Sequence, residues 1–321
     1  MRNICVCLEF LTEERCAAIR DTAEKLGFTV RFFTLEQQAE ALAFVPECEV
    51  LFAHDAELVR SAKQLKWFHC SWAGVDAYCR DDPLFADPDC ILTNSHSYGT
   101  TIAEHVIMVT LMLLRRMVEY QSAMAEKNWL SPIPIRSIRG GRFTVLGAGD
   151  IGRHVARRLR AMEAASVTGI SRSGRPQPDF DTVLPMASLD TVLPETDVLI
   201  MALPGTADTA GILSRERMAL LPEGAFVVNV GRGTAIDQTA LREALNSGHL
   251  GGAALDVMTP EPLTGDDPLW NAKNVILTPH VSGSMNLPYT CDLTVAQFCR
   301  NLERYAAGEA LSGVVDRTAG Y

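Results

Sequence analysis

Phe143-Thr144-Val145-Leu146 runs directly into Gly147-Ala148-Gly149-Asp150-Ile151-Gly152. A short apolar run, then G-x-G-x-x-G, then a helical period from Gly152 to Met162 is the pattern of a strand that turns tightly into a helix. The glycines permit the turn and let the backbone approach a pyrophosphate, while the helix N-terminus offers free N–H groups and the positive end of its dipole. The motif alone is weak evidence, and its place between strand and helix makes it strong. A bare strand-to-helix turn is the lesser alternative.

Working outward, further apolar runs follow at Val167–Ile170, Val198–Ala202, Ala225–Val230, Gly252–Val257 and Val275–Leu277. Helical segments at Arg215–Leu221 and Gln238–Ser247 lie among them. Six strands with crossovers predict a doubly wound parallel sheet. The N-terminal part has the same rhythm: Ile4–Leu8, a helix over Glu13–Leu26, then Thr29–Phe33, Val50–Ala53 and Leu65–Cys70. Between the two series, Thr101–Met117 reads as a long apolar helix opened by a capping box of Thr101 and Glu104. Gln121–Gly141 reads as an arm or linker, and Tyr289–Ala307 as an amphipathic final helix.

Composition narrows the function. The 321 residues are 47% hydrophobic and 21% charged, typical of a well-packed globular chain, and the net charge of -10 argues against a general nucleic-acid binder. No run suggests a signal peptide or membrane span, so the expectation is a cytoplasmic protein with neither membrane nor nucleic-acid partner. Nine cysteines are an odd number, fitting reduced thiols. Seven fall in the first 90 residues and two near the end, which links the chain's ends in one compositional zone. Cys5 and Cys7 would point to one face of the first strand as small hydrophobes, with a metal role the lesser alternative.

The second strand of the nucleotide series ends in Ser171-Arg172-Ser173-Gly174-Arg175, with no acid. An acid there accepts the free ribose hydroxyls of NAD and repels a 2'-phosphate, whereas hydroxyls and a guanidinium can bind that phosphate. NADP is therefore the expected cofactor, with NAD possible. Ordinary loop charge is the plain alternative for Arg172 and Arg175.

Three later segments each place a chemically useful residue just after a strand: Arg232 in V-N-V-G-R-G, Glu261 in L-D-V-M-T-P-E-P-L and His280 in L-T-P-H-V-S-G. Ligands bind at the strand ends of open α/β sheets. With the glycine loop, W-F-H-C-S-W-A-G-V-D (Trp67–Asp76), I-A-E-H (Ile102–His105) and L-P-G-T-A-D-T-A-G (Leu203–Gly211), this set resembles the D-2-hydroxyacid dehydrogenase family over nearly the whole chain.

That resemblance implies an α/β fold of two Rossmann-like domains with doubly wound parallel sheets. The nucleotide-binding domain, 99–287, would be inserted into a flavodoxin-like lid domain of 1–98 completed by 288–321, with the active site in the cleft. It implies catalytic roles for Arg232, Glu261 and His280. Arg232 would grip the substrate carboxylate and keto oxygen, His280 would be the acid-base residue, and Glu261 would pair with it. Gly147, Gly149, Asp150, Ile151, Gly152, Ser171, Arg172, Ser173, Leu203, Pro204, Thr209 and Asp256 would form the cofactor site. The backbone of Trp72, Ala73, Gly74 and Val75 would meet the substrate, although Trp72 reads almost as well as a core or domain-interface aromatic. The partner would be a small 2-keto or 2-hydroxy acid of the glyoxylate or hydroxypyruvate kind, and the assembly a homodimer through the Thr101–Met117 helix.

One departure stands out: the loop Asn94-Ser95-His96-Ser97-Tyr98-Gly99 looks shortened relative to the family pattern. His96 reads as a local hydrogen-bonding residue rather than a second base. Two other functions stay open, an NAD(H)-sensing interaction protein of the C-terminal-binding-protein type and a phosphoglycerate-type dehydrogenase. Formate dehydrogenases pair their histidine with glutamine, which Glu261 disfavours.

Overall fold

The structure, a computed structural model, describes residues 2–79 and 84–321. The chain divides into two compact units, residues 1–98 with 285–321, and residues 99–284. The first unit runs β1 (Arg2–Cys7), α1 (Glu13–Lys25), β2 (Phe28–Phe33), α2 (Gln38–Phe44), β3 (Cys48–Ala53), α3 (Ala56–Ser61), β4 (Trp67–Cys70) and β5 (Ile91–Asn94). Its five parallel strands lie in the order β2-β1-β3-β4-β5, the flavodoxin-like arrangement.

Alternation along β1 builds two apolar layers. Ile4 and Val6 enter one with Phe52 and Trp67, and Cys5 and Cys7 enter the other with Leu51 and Phe68. The cysteines thus share one face, and all nine thiols of the chain are unpaired. β5 was not foreseen, because its four residues follow turn-forming Asp89, end in turn-forming Asn94 and carry too short a pattern.

The second unit runs α4 (Gly99–Leu114), α5 (Met117–Ala125), β6 (Arg142–Leu146), α6 (Asp150–Ala161), β7 (Ser166–Ser171), β8 (Thr182–Pro185), α7 (Leu189–Val192), β9 (Val198–Met201), α8 (Arg215–Leu220), β10 (Ala225–Asn229), α9 (Gln238–Ser247), β11 (Leu250–Leu255) and β12 (Val275–Leu277). Its parallel strands lie in the order β12-β11-β10-β9-β6-β7-β8. There are seven, not the six expected. The additional β8 is a four-residue edge strand paired only with β7 and ending in Pro185, which an edge tolerates.

Two expectations for the long helix are corrected. α4 starts at Gly99, so Thr101 lies inside its first turn and is not the residue that opens it. Gly99 can lead because it packs on α6, where an added Cβ would lie 2.5 Å from the His154 ring. The helix also stops at Leu114. Arg116 takes a left-handed φ of 60°, and α5 then carries helix into the segment read as an arm.

The final helix α10 (Pro288–Ala307) belongs to the first unit. It buries Cys291, Val295, Phe298 and Leu302 against Ile4, Phe52 and Trp67. The Phe298 ring stacks on Phe52 at 4.4 Å and on Trp67 at 5.2 Å. Burying that one side chain contributes about 1.5–3 kcal/mol.

Candidate active site

Within the second unit, Arg232, Glu261 and His280 follow β10, β11 and β12, three neighbours in the sheet. Backbone hydrogen bonds continue the ladder past the strand ends. Asp256 N donates to Asn229 O at 3.0 Å, Thr278 N to Leu255 O at 3.0 Å, and His280 N to Asp256 O at 2.8 Å. Sheet geometry therefore sets the spacing of the loops before any side chain acts.

The Arg232 turn is closed by fully buried Asn229, whose Oδ1 accepts from Gly231 N at 3.0 Å and whose Nδ2 donates to Arg232 O at 2.9 Å. Gly233 then packs so tightly on Met258 that an added Cβ would stand 2.1 Å from the Met258 carbonyl. That approach joins the Arg232 loop to the one carrying Glu261. From α9, Gln238 donates to Thr259 O and accepts from Thr259 N, both at 2.7 Å, which clamps the Glu261 loop on its other side.

Glu261 uses both oxygens. Oε1 accepts from Met258 N at 2.9 Å, and Oε2 lies 2.8 Å from His280 Nδ1. A carboxylate only accepts, so Nδ1 carries the proton and Nε2 is the ring atom left to exchange one. His280 itself has a left-handed φ of 54°. A non-glycine residue holds that conformation only where its surroundings demand it.

Buried Asp256 supplies the demand. Oδ1 accepts from Thr278 Oγ1 at 2.7 Å and Val281 N at 2.9 Å, and Oδ2 from Ser282 N at 2.9 Å. Burial opposes its ionisation, but the hydrogen bonds from Ser282, Thr278 and Val281 prevail and hold its carboxyl below the usual range. Asp256 thus brackets the His280 segment from both sides, a task the sequence did not disclose. Asn229 and Gln238 also escaped the sequence reading, because a buried Asn and a surface-helix Gln carry no distinguishing spacing.

The glycine loop follows β6 at the sheet's switch point, between β9 and β7. Gly147 has a φ of 103°, and a Cβ on it would lie 2.5 Å from Ala202 O, so the turn admits only glycine. Gly152 is tighter still, since a Cβ on it would lie 2.0 Å from Gly147 O. By contrast, a Cβ on Gly149, the residue capping α6, would meet nothing within 4 Å. The protein's own packing does not require that glycine, and the open space before a helix N-terminus suits a dinucleotide's phosphates. The Asp150 side chain turns back to within 3.8 Å of His154, and Ile151 is half-buried.

At the end of β7, Ser171 Oγ accepts from Gly174 N at 3.1 Å, and Arg172 and Ser173 are exposed. Leu203 is buried just past β9 and Pro204 is half-buried. Thr209 Oγ1 donates to Pro204 O at 2.6 Å and accepts from Thr206 N at 2.9 Å. Its hydroxyl thus braces its own loop.

In the first unit, the loop Trp72-Ala73-Gly74-Val75 follows β4. Asn94 Nδ2 donates to Ala73 O at 2.6 Å, Ser95 N to Trp72 O at 3.1 Å, and Tyr98 Oη to Ser71 O at 2.9 Å. Val75 is buried, whereas Trp72 is 45% exposed and lies flat on His54 with ring centroids 4.4 Å apart. Trp72 is therefore not a core residue of this unit. His96 turns to α10, where its backbone N–H is accepted by Gln297 Oε1 at 2.9 Å.

The chain belongs to the D-2-hydroxyacid dehydrogenase family: residues 107–282 match the family described as D-isomer specific 2-hydroxyacid dehydrogenase, NAD binding domain. Among particular relatives, it is 37% identical over 288 residues to the glyoxylate/hydroxypyruvate reductase A of Klebsiella pneumoniae, covering 88% of this chain and 87% of that one. It also resembles the crystal structure of the NADPH-dependent glyoxylate/hydroxypyruvate reductase of Sinorhizobium meliloti in complex with NADP and sulfate. That similarity has a TM-score of 0.83 at 28% identity over 100% of both chains. A D-isomer specific 2-hydroxyacid dehydrogenase from Xanthobacter autotrophicus, in complex with NADPH and MES, gives 0.83 at 29% identity, again over 100% of both.

Proposed function

We propose that the protein is an NADPH-dependent reductase of small 2-keto acids, glyoxylate and hydroxypyruvate foremost, with Arg232, Glu261 and His280 as its catalytic set. The observation that carries this reading is the 2.8 Å contact of Glu261 Oε2 with His280 Nδ1. It leaves Nε2 aimed at proton exchange, as reduction of a carbonyl requires. The NADP- and NADPH-bound relatives and the reductase names of the curated relatives support the cofactor and substrate class.

The bound nicotinamide supplies the hydride. As negative charge develops on the keto oxygen, His280 gives it a proton from Nε2. Glu261 keeps the imidazole in the tautomer and orientation for that transfer. Arg232 holds the substrate carboxylate and keto oxygen through charge-assisted hydrogen bonds. Trp72, Ala73, Gly74 and Val75 form the substrate loop of a lid domain, 1–98 completed by the C-terminal segment. Gly147 to Gly152, with Leu203 and Pro204, cradle the dinucleotide. Thr209 shapes the loop that Pro204 begins, and Asp256 serves the nicotinamide side while fixing the His280 loop. Ser171, Arg172 and Ser173 read the 2'-phosphate.

The protein acts as a cytoplasmic homodimer in this reading. Met108, Met124, Trp129 and Ile135 leave an apolar surface along α4, α5 and the following arm, with Trp129 97% exposed. Light scattering showing a monomer at micromolar concentration would exclude the dimer. For the activity, the decisive assay is a panel of 2-keto acids with NADPH and with NADH. Turnover of glyoxylate or hydroxypyruvate with NADPH is the expected result. Cofactor binding without turnover of any 2-keto acid would favour a sensing role instead.

A further inference from the structure

We propose that the first unit carries a separate binding site for a small phosphate-bearing dianion, formed by Arg300 and Arg304 of α10 with His96. The site is a cavity of about 310 Å³ whose lining includes these residues together with Gln297, Asn301 and Gly313. It lies on the outer side of β5, where Thr93 bridges to Val314 of the C-terminal segment.

Three observations build it. Arg300 and Arg304 are one helical turn apart, so their guanidiniums share a face of α10 and repel each other. Both are exposed, and among the described residues neither has a carboxylate within ion-pairing distance, although the chain's net charge is -10. In contrast, Arg15, Arg142, Arg215 and Arg217 are all paired with acids. Two unneutralised cations facing a cavity in an acidic protein are a local charge excess that a bound dianion would relieve.

The neutral groups are already committed. Gln297 Oε1 accepts from His96 N at 2.9 Å and Nε2 donates to Asn94 O at 3.1 Å, while Asn301 exchanges two hydrogen bonds of 2.9 Å with the Ser312 backbone. They fix the walls and leave ligand recognition to the cations. Gly313 completes the cavity. It has a φ of +72°, and a Cβ on it would lie 3.1 Å from the His96 ring, so the His96 side chain is seated against a position kept free of side chain. Paired guanidiniums match phosphate oxygens in bidentate fashion, which favours a phosphate group over a single carboxylate.

The test is titration of inorganic phosphate into the full chain, followed by the His96 ring resonances in NMR, assigned with His96→Gln. Arg172→Ala serves as the control for phosphate taken up at the glycine-loop end. The expected result is a saturable shift in the wild type, kept in Arg172→Ala and weakened about tenfold or more in Arg300→Gln/Arg304→Gln. Arg304→Gln alone, a milder change at an exposed position, should weaken it severalfold. No saturable shift in the wild type, equal affinity in the double variant, or an equal response to acetate at matched ionic strength would overturn the proposal.

Discussion

The carboxylate of Glu261 joins two loops at once: Oε2 stands 2.8 Å from His280 Nδ1, while Oε1 accepts the Met258 N–H at 2.9 Å. A glutamine in its place can accept from only one of these donors and must turn an NH₂ toward the other. Glu261→Gln should therefore lower kcat by about tenfold to a hundredfold, part of the contribution of general acid–base catalysis. NADPH affinity should hardly change. A kcat equal to that of the wild type would show that the pair does not orient His280.

The close approach of Gly233 to Met258 makes a second prediction. Gly233→Ala forces a methyl group to 2.1 Å from backbone atoms, which only a shift of one loop relieves. A destabilisation of about 1–3 kcal/mol is expected, as for other overpacking changes, together with loss of activity from displacing Arg232. Urea unfolding and keto-acid turnover check both parts. Wild-type values in each would mean that the contact is not strictly maintained.

How far the sequence could be read follows from which forces act locally. The glycine loop was legible because G-x-G-x-x-G meets a strand on one side and a helix on the other, and Gly147 and Gly152 occupy positions where any side chain would collide. Arg232, Glu261 and His280 were singled out by their flanking motifs, and the structure sets Glu261 against His280. The groups that hold them were not legible. Gln238 and the clamp of Asp256 on Val281 and Ser282 act across strand ends distant in sequence, while Asn229 closes its own turn through a side chain whose burial no local pattern records. β5 and β8 were missed because four-residue edge strands are decided by pairing, which no local pattern records.

In the proposed function, cofactor choice rests on the end of β7. Ser171→Asp with Arg172→Ala adds repulsion toward a 2'-phosphate and removes a cation, so KM for NADPH should rise about tenfold or more while KM for NADH changes little. Steady-state kinetics with both cofactors decide the matter. Equal effects on the two would mean that this turn does not read the phosphate.

His69 gives the chain a pH-dependent stability unconnected with catalysis. It is fully buried, with Nδ1 2.7 Å from Thr93 Oγ1, and desolvation, helped by the nearby charge of His96, pushes its pKa from 6.5 down to about 3. Unfolding releases a histidine that binds a proton below about pH 6.5, which the folded protein refuses. The stability is therefore complete above that pH and lost as pH falls toward 3, at up to ~1.4 kcal/mol per pH unit. Urea midpoints between pH 7 and 5 should fall more steeply for the wild type than for His69→Gln. Parallel slopes would contradict the assignment.

The most direct test of the account is the reduction of glyoxylate and hydroxypyruvate by NADPH in the wild type and in His280→Ala, with the NADPH dissociation constant measured alongside. The wild type should consume NADPH with at least one of these acids. His280→Ala should lose about 10²- to 10⁴-fold in kcat, the usual contribution of a positioned acid, while binding NADPH within a fewfold of the wild type. Near-normal turnover in His280→Ala would contradict the mechanism, and a wild type inert toward both acids would contradict the substrate assignment.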